Sequence, residues 1–263
     1  MKKIFLLVSL MFISSCAYLK SVGVSNPFSF EGNPGAGNTK KVIKKFQLTD
    51  KAGNFLINRE KGFNKSKNQF IVKKTVKASG DSKELEKLIV ISKLGNLKKS
   101  LTILRPEISE YSVWFEGKKY VSRMEVNEET QSMDVKLFSP EKQWQGKRTF
   151  PFPKTMGIFC YFSQLTECAR ATGFIDKAIK KDSGSMKVVI IWEGYPYFQE
   201  QYLNIPNEVF TEGVFEYDGR NAKGERRFTL DVGGQSIFYF LDDNKELMKK
   251  FWVSQGLSMV EIN

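Results

Sequence analysis

The carboxylate side chains are the residues best able to do acid–base chemistry in this chain, because the 263-residue sequence contains no histidine. Without histidine, the Ser–His and Cys–His nucleophile arrangements and the usual zinc sites are excluded. Two acids, Glu193 and Glu200, stand among aromatic residues in the segment IIWEGYPYFQEQYLN, and paired carboxylates can hydrolyse glycosidic bonds. No acid is singled out by its spacing, and strands and turns often produce the same mixture. The sequence therefore favours a non-catalytic protein.

Motifs that hold a metal ion or a nucleotide are also missing from the sequence. There is no P-loop, no dinucleotide-binding glycine motif and no EF-hand calcium loop. The segment DGRNAKGE, at positions 218–225, is rich in oxygen ligands but lacks the calcium-loop spacing and its final bidentate glutamate. We therefore interpret it as a hairpin turn and predict no cofactor.

The first sixteen residues have the order of an export signal. Two lysines precede an apolar segment at 4–13, which turns small and polar at Ser14 and Ser15 before Cys16. The apolar segment is about half of the roughly 20 residues that span a bilayer, so we expect its removal. Its end, ISSC, resembles the lipobox of bacterial lipoproteins, with isoleucine in place of the more usual leucine. The resemblance implies that Cys16 begins the mature chain and carries lipid; an ordinary cleavage site beside an unrelated cysteine is the alternative.

The same resemblance implies a location. Lipoproteins of this class carry a diacylglycerol and often a further acyl chain such as palmitate, and two or more chains hold a protein stably on a membrane. Ala17 is not the aspartate that retains many Gram-negative lipoproteins in the inner membrane. We therefore expect residues 1–15 to be the signal peptide and Cys16 to be anchored in the outer membrane, with the body facing the periplasm.

The composition divides the remaining chain into a tether and one domain. Residues 16–39 are rich in Gly, Pro, Ser and Asn and show neither a strand nor a helix period, so they are predicted to be a lipidated N-terminus and flexible tether. Docking of Phe28 and Phe30 onto the body is the alternative for this segment. Residues 40–263 are predicted to form a single β-rich domain, since no second linker interrupts them.

The charge balance bears on the choice of partner. The formal net charge is +12, and loss of Lys2 and Lys3 with the signal would leave +10. No block of basic residues is dense enough to indicate a nucleic-acid site. For an exported lipoprotein, anionic lipid headgroups, anionic envelope polymers or an envelope protein are the expected partners. Lysines that lie on solvated strand faces and turns without a partner are the alternative.

Strand patterns dominate the predicted domain. The segment EYSVWFEGKKYVSRMEV alternates on both sides of Glu116 and Gly117, which is the pattern of a β-hairpin. Further strands are predicted at 88–92, 101–104, 133–138, 187–192, 209–217 and 228–232. The last segment, QSIFYFLDDNKELMKKFWVSQGLSMVEI, predicts three strands separated by 242–245 and 254–256, with a helix over 246–252 as the alternative.

One helical insertion is predicted, over residues 155–181. Ile158, Phe162 and Leu165 follow each other there at helical spacing, and Gly173 predicts a break before a second short helix.

Two cysteines lie in this insertion, Cys160 and Cys168. In the oxidising periplasm that the lipobox implies, we predict a disulfide between them. On one continuous helix their Cα atoms would be about 12 Å apart, whereas a disulfide tolerates at most about 7 Å. The prediction therefore requires the chain to fold back near Gln164 or Leu165, and two buried free thiols are the alternative.

The predicted fold class is mainly β, an antiparallel meander forming a curved sheet or half-barrel with the short helical insertion. Short connections between the strands favour antiparallel neighbours. A closed sandwich is the alternative. The architecture and location are similar to those of half-barrel lipoproteins that handle lipids or lipoproteins at the outer membrane, but no motif matches and no functional residue is transferred.

Lys74 is the clearest sign of an open concave face. It falls in strand register with Phe70, Val72 and Val76, so in a dry sandwich core its ammonium would be a very costly unpaired charge. We therefore predict that Lys74 lies at the mouth of a concave site, where it meets an anionic headgroup. A lysine that caps a strand end in water is the alternative.

Aromatic residues are expected to form the wall of the same site. Trp114, Tyr120 and Trp192 combine a large apolar area with a polar group. Aromatic residues that simply fill the core are the alternative. The sequence thus predicts a lipoprotein that binds a lipid or other amphipathic envelope ligand, and it requires a concave apolar surface of several hundred cubic ångströms. A structural or interaction subunit of an envelope complex is the alternative function.

Overall fold

The computed structural model describes residues 41–98, 101–155 and 157–262. Within these ranges the chain forms fifteen strands and two short α-helices. The strands are β1 (Lys41–Asp50), β2 (Gly53–Asn64), β3 (Gln69–Ala78), β4 (Glu84–Lys98), β5 (Leu101–Phe115), β6 (Lys118–Asn127), β7 (Ser132–Phe138), β8 (Gly146–Pro151), β9 (Ile158–Tyr161), β10 (Ser185–Ile191), β11 (Phe210–Arg220), β12 (Arg226–Val232), β13 (Gln235–Leu241), β14 (Leu247–Trp252) and β15 (Leu257–Ile262). The helices are α1 (Leu165–Ala171) and α2 (Phe174–Lys181).

All fifteen strands belong to one curved, unclosed sheet. Its order is β8-β7-β6-β5-β4-β3-β2-β1-β15-β14-β13-β12-β11-β10-β9, so nearly every strand pairs with its neighbour in sequence. The pairs are antiparallel except β9 with β10, which is parallel. The first and last strands, β1 and β15, pair with each other in the middle of the sheet. The predicted mainly β fold is confirmed, and the closed sandwich is wrong because the described strands form a single sheet.

The alternation of side chains explains why these segments are strands. In β3, Phe70, Val72 and Val76 are buried on the concave face, while Lys73 between them is exposed on the convex face. The three predicted C-terminal strands are present as β13, β14 and β15, and the helical alternative for 246–252 is wrong.

The helical insertion differs from its prediction. Helix does not begin at residue 155: β9 occupies Ile158–Tyr161, a 3-10 turn follows at Phe162–Gln164, and α1 begins at Leu165. The cause is the parallel pairing of β9 with β10, because such a strand lacks a solvent-facing side and its apolar residues do not alternate with polar ones. Gly173 does break the helices, with a φ of 71°. No helix in the described ranges has the length and apolar character needed to cross a membrane.

The concave face of the sheet is covered by the chain itself. We call residues 192–209, between β10 and β11, the inner loop. Its Tyr195 accepts a hydrogen bond at the carbonyl from Ser122 Oγ at 2.7 Å, and its Phe198 ring lies 6.2 Å from the Tyr111 ring on β5. Helix α1 packs beside the inner loop, and most of its residues are buried. Together, these two segments leave only a small space between themselves and the sheet.

Candidate functional site

A cavity of about 70 Å³ remains between the concave face, α1 and the inner loop. Apolar walls come from residues including Phe162, Phe198 and Trp252. Polar groups also converge on it: the cations Arg59, Lys74 and Lys250, the acid Glu193, and the hydroxyl-bearing Tyr111, Tyr202 and Tyr239. A mostly apolar cavity with a few convergent polar groups is the usual form of a small-ligand site.

One side of the cavity is held by a buried ion cluster. Both carboxylate oxygens of Glu167 on α1 lie 3.0 Å from Arg59 Nη2, and Lys61 Nζ is 3.3 Å from Glu167 Oε1. Lys61 also pairs with Glu246, which lies 2.8 Å from Arg170 Nη1. Burial alone would raise the pKa of Glu167, but Arg59 and Lys61 outweigh burial and lower that pKa to about 2. The cluster therefore attaches α1 to the sheet through ionised groups that neutralise one another.

Lys74 points into the interior, as its register predicts, and lines the cavity. Its ammonium forms an ion pair with Glu86 on the neighbouring strand β4, and about 20% of its side chain is exposed. The charge that sequence reasoning assigned to a ligand headgroup is thus already met by a protein carboxylate.

Lys250 on β14 is the cation of the cavity that lacks such a partner. In the described parts of the chain, no carboxylate lies within 4.0 Å of its Nζ, which sits 4.8 Å from the centre of the Phe162 ring. Burial, followed by repulsion from Lys74, lowers the pKa of Lys250 to about 7. The Lys250 side chain therefore gains or loses its proton near neutral pH, and it faces a partly apolar space.

Tyr239 lies directly opposite Lys250 in the β13–β14 pairing. The Tyr239 side chain is only 3% exposed, and among the described residues its hydroxyl finds no hydrogen-bond partner. Buried hydroxyls nearly always have a partner, so this group requires an explanation. Lys250 and Tyr239 together present two donors to one cavity.

Glu193 provides the carboxylate of the cavity. Its two oxygens accept hydrogen bonds from the backbone N–H groups of Phe162, at 2.9 Å, and Ser163, at 2.6 Å. Burial raises the pKa of Glu193 although these hydrogen bonds oppose the rise. Glu200, the second acid of the proposed catalytic pair, is exposed and does not line the cavity.

The predicted wall aromatics lie elsewhere. Trp192 is buried behind the cavity, where its Nε1 donates to Thr211 Oγ1 at 2.9 Å. Tyr120 is buried and donates to Glu141 at 2.6 Å. Trp114 is partly buried, with Lys119 Nζ 5.4 Å from its ring centre. Of the four predicted ligand residues, the structure brings only Lys74 to the cavity.

Lys250 and Tyr239 were missed from the sequence although a signal exists. Lys250 stands two residues before Trp252 in a strand, and both line the cavity. The register argument that identifies Lys74 therefore applies equally to Lys250. For Glu167, the helical pattern around 165–171 gives no indication of which side chain is charged and buried.

Cys160 and Cys168 meet in a small apolar cluster with Phe70 and Val72. Both are fully buried and are free cysteines in this structure. The chain changes from strand β9 to helix α1 between them, which is the fold-back that a disulfide requires. The disulfide stays a prediction, and so do the lipidation of Cys16 and the signal peptide and tether at residues 1–39, which lie outside the described residues.

We expect the non-reduced mature protein to weigh less than the reduced protein by the mass of the two thiol hydrogens. The physical reason is that two adjacent thiols in an oxidising compartment are converted to a disulfide. Mass spectrometry after denaturation and alkylation makes the difference larger: protein treated with reductant gains two alkyl groups, at Cys160 and Cys168, and non-reduced protein gains none. Alkylation of both cysteines in non-reduced protein would contradict the prediction.

No cluster of three or more metal-ligating side chains occurs in residues 41–98, 101–155 and 157–262. No family model and no curated protein matches the chain. A solved structure, the crystal structure of a beta-barrel-like protein of domain of unknown function DUF1849 from Brucella abortus, is similar with a TM-score of 0.41 and 9% identity. The similarity covers 86% of this chain and 96% of that one, and it does not bear on function.

Proposed function

We propose that this protein is a non-catalytic lipoprotein, anchored at the outer membrane through Cys16 and facing the periplasm, that binds a small carboxylate in its interior cavity. One observation supports this proposal: the ammonium of Lys250 has no carboxylate partner, and the hydroxyl of Tyr239, the residue directly opposite, has no hydrogen-bond partner among the described residues. The two oxygens of one carboxylate can accept from both donors.

The size of the cavity narrows the expected ligand. Small-molecule pockets usually measure about 300–1,000 Å³, whereas this cavity has about 70 Å³. Open grooves of about 440–530 Å³ exist elsewhere, but none is lined by the predicted ligand residues. The covered concave face therefore has no room for a lipid acyl chain. We propose a small anion as the ligand instead of a whole lipid.

The charges around the cavity favour an anion with a single charge. Arg59 and Lys74 already have carboxylate partners, so Lys250 is the cavity-lining cation that has no carboxylate of the described residues within 4.0 Å. Glu193 lies in the same cavity and would repel a dianion such as phosphate more strongly than a monoanion.

We expect Lys250→Met to weaken binding of acetate or propionate at least about tenfold, a loss of about 1.4 kcal/mol in binding free energy. Methionine keeps the length of the side chain but removes its charge. The affinity of the unsubstituted protein should fall as the pH rises through about 7, because Lys250 then loses its charge. Calorimetric titration of the full chain at pH values below and above 7 measures both effects.

Lys249→Met is the matched control. Lys249 is the chain neighbour of Lys250, but it pairs with Glu225 and does not line the cavity. The Lys249→Met substitution should therefore leave the carboxylate affinity unchanged. Equal affinities in the two variants, or no binding by the unsubstituted protein, would refute the proposed site.

A further inference from the structure

The convex face of the sheet carries a group of isoleucines. Ile71, Ile91 and Ile108 lie directly opposite one another on β3, β4 and β5, and each is half-buried. Ile89 lies on the same face of β4 and is 40% exposed. Side chains directly opposite across strands are about 5 Å apart at Cβ, so these four residues form one surface, which we call the isoleucine patch. Contiguous exposed apolar surface on a protein commonly marks a contact with a partner or a membrane.

Basic residues surround the isoleucine patch. Lys73 on β3 lies directly opposite Ile89 on β4. Next to Ile91 and Ile108, Lys93 on β4 lies directly opposite Arg105 on β5. Lys73, Lys93 and Arg105 are exposed and, within the described ranges, have no carboxylate in ion-pair distance.

Acidic residues also lie on this face. Glu60 is paired with Lys41 at 3.0 Å, Glu110 is exposed opposite Ile89, and Glu125 is exposed opposite Ile108. The exposed Arg123 lies opposite Glu110, so the basic residues, counted with Arg123, outnumber these three acids. The patch therefore combines apolar side chains with free positive charge. This chemistry complements an anionic lipid surface.

The start of β1 places the patch near the proposed anchor. Lys41 lies opposite Gly62, Gly62 opposite Ile71, and the row continues through Ile91 to Ile108. The forty residues that precede β1, including Cys16, therefore join the sheet at one end of the line of directly opposite residues that contains the patch. The tether that composition predicts for residues 16–39 would reach roughly 25 Å, at about 5–6 Å times the square root of the residue number.

We propose that the isoleucine patch and its basic residues dock on an anionic membrane surface. The proposal rests on the lipid anchor of the proposed function. Once the anchor is inserted, docking is an intramolecular step, so a weak contact is sufficient to orient the domain. Docking would turn the convex face of β3–β5 towards the headgroups.

A polarity-sensitive dye on Ile89→Cys tests this proposal. The native Cys160 and Cys168 are buried and should not react in folded protein, either as thiols or as the predicted disulfide. Circular dichroism of each labelled variant serves as the check of folding. The full chain, produced with its own leader, is reconstituted into vesicles of equal parts phosphatidylglycerol and phosphatidylcholine, or of phosphatidylcholine alone. We expect the dye emission to shift to shorter wavelength only in the mixed vesicles, and the shift to disappear at high salt.

Val253→Cys is the matched control, because Val253 is 68% exposed in the β14–β15 connection, away from the start of β1. It should show no shift. Adding Lys73→Gln and Lys93→Gln to the Ile89→Cys protein should abolish the shift while the protein still floats with the vesicles.

Each other result overturns the docking proposal in a recognisable way. Flotation without a shift at position 89 removes docking but leaves the anchor intact. Failure to float removes the anchor and docking together. A shift without vesicles would mean that residues 17–40 or a second copy covers the patch, and an equal shift in neutral vesicles would exclude recognition of anionic lipid. Carboxylate binding by the same sample reports separately on the cavity.

Discussion

Replacing Glu167 by glutamine should lower the melting temperature by roughly 10 °C. Glu167 is 3% exposed and is the shared partner of Arg59 and Lys61, which are themselves 7% and 4% exposed. Removal of one partner from a buried ion pair costs about 3–5 kcal/mol, and each kcal/mol shifts the melting temperature of a domain of this size by about 2–4 °C. Lys61 retains Glu246 and Arg59 retains the carbonyl of Ser163, so we expect the lower part of the energy range.

The effect of this substitution should depend on pH. The pKa of Glu167 is lowered to about 2 in the folded protein, against about 4.3 in an unfolded chain. A lowered carboxyl pKa contributes stability that is complete above the unfolded value and is lost as the pH falls through the folded value. The difference in unfolding free energy between the native protein and Glu167→Gln should therefore narrow as the pH falls from about 5 to about 2.

Thermal melts followed by circular dichroism measure both effects. Glu84→Gln is the control, because Glu84 forms an exposed i,i+3 pair with Lys87 at 2.7 Å. Such surface pairs contribute at most about 1 kcal/mol, so its melting temperature should change little. Equal stability losses in the two variants would show that the buried cluster does not hold α1 to the sheet.

Gly194→Ala should destabilise the protein by about 3–5 kcal/mol, through backbone strain and overpacking together. Gly194, in the inner loop, has a φ of 111°, which L side chains rarely adopt. A Cβ at this position would lie 2.6 Å from two ring carbons of Tyr111, a fully buried residue on β5. The inner loop would have to move away from the concave face, and denaturant unfolding measures the resulting loss of stability.

Gly219→Ala separates the two causes. Gly219 has a φ of 89°, but a Cβ there would meet no atom within 4 Å. Its substitution should therefore cost only the backbone term, about 1 kcal/mol. If the two alanine variants unfold at the same denaturant concentration, the close contact between the inner loop and Tyr111 is not a source of stability.

The alternating strands could be predicted because each has one buried and one solvated face. Phe70, Val72 and Val76 show the concave face of β3 directly, and the same reasoning places Lys74 inside. The pairing of Lys74 with Glu86 could not be predicted, since it depends on how β3 aligns with β4. Sequence periodicity gives the face of a residue but not its neighbour across the sheet.

The least predictable parts of the site are the segments that cover the concave face. Strand β9 has no solvated side, so its apolar residues fit a helical spacing equally well. Residues 192–199 of the inner loop are buried, and their aromatic side chains, including Trp192, resemble in sequence the wall of an open binding site. Their position inside the sheet is decided by contacts with β5 and β6, which are distant in sequence.

The pairing of β1 with β15 has a consequence for biosynthesis. The two strands meet across a sequence separation that reaches 217 residues for the Lys44–Glu261 pair. A chain made from its N-terminus has an unpaired edge on β1 until the last strand is complete, and an unpaired strand edge is a template for aggregation. The edge of β1 therefore stays open to aggregation for longer than in a meander whose strands all pair with their neighbours in sequence.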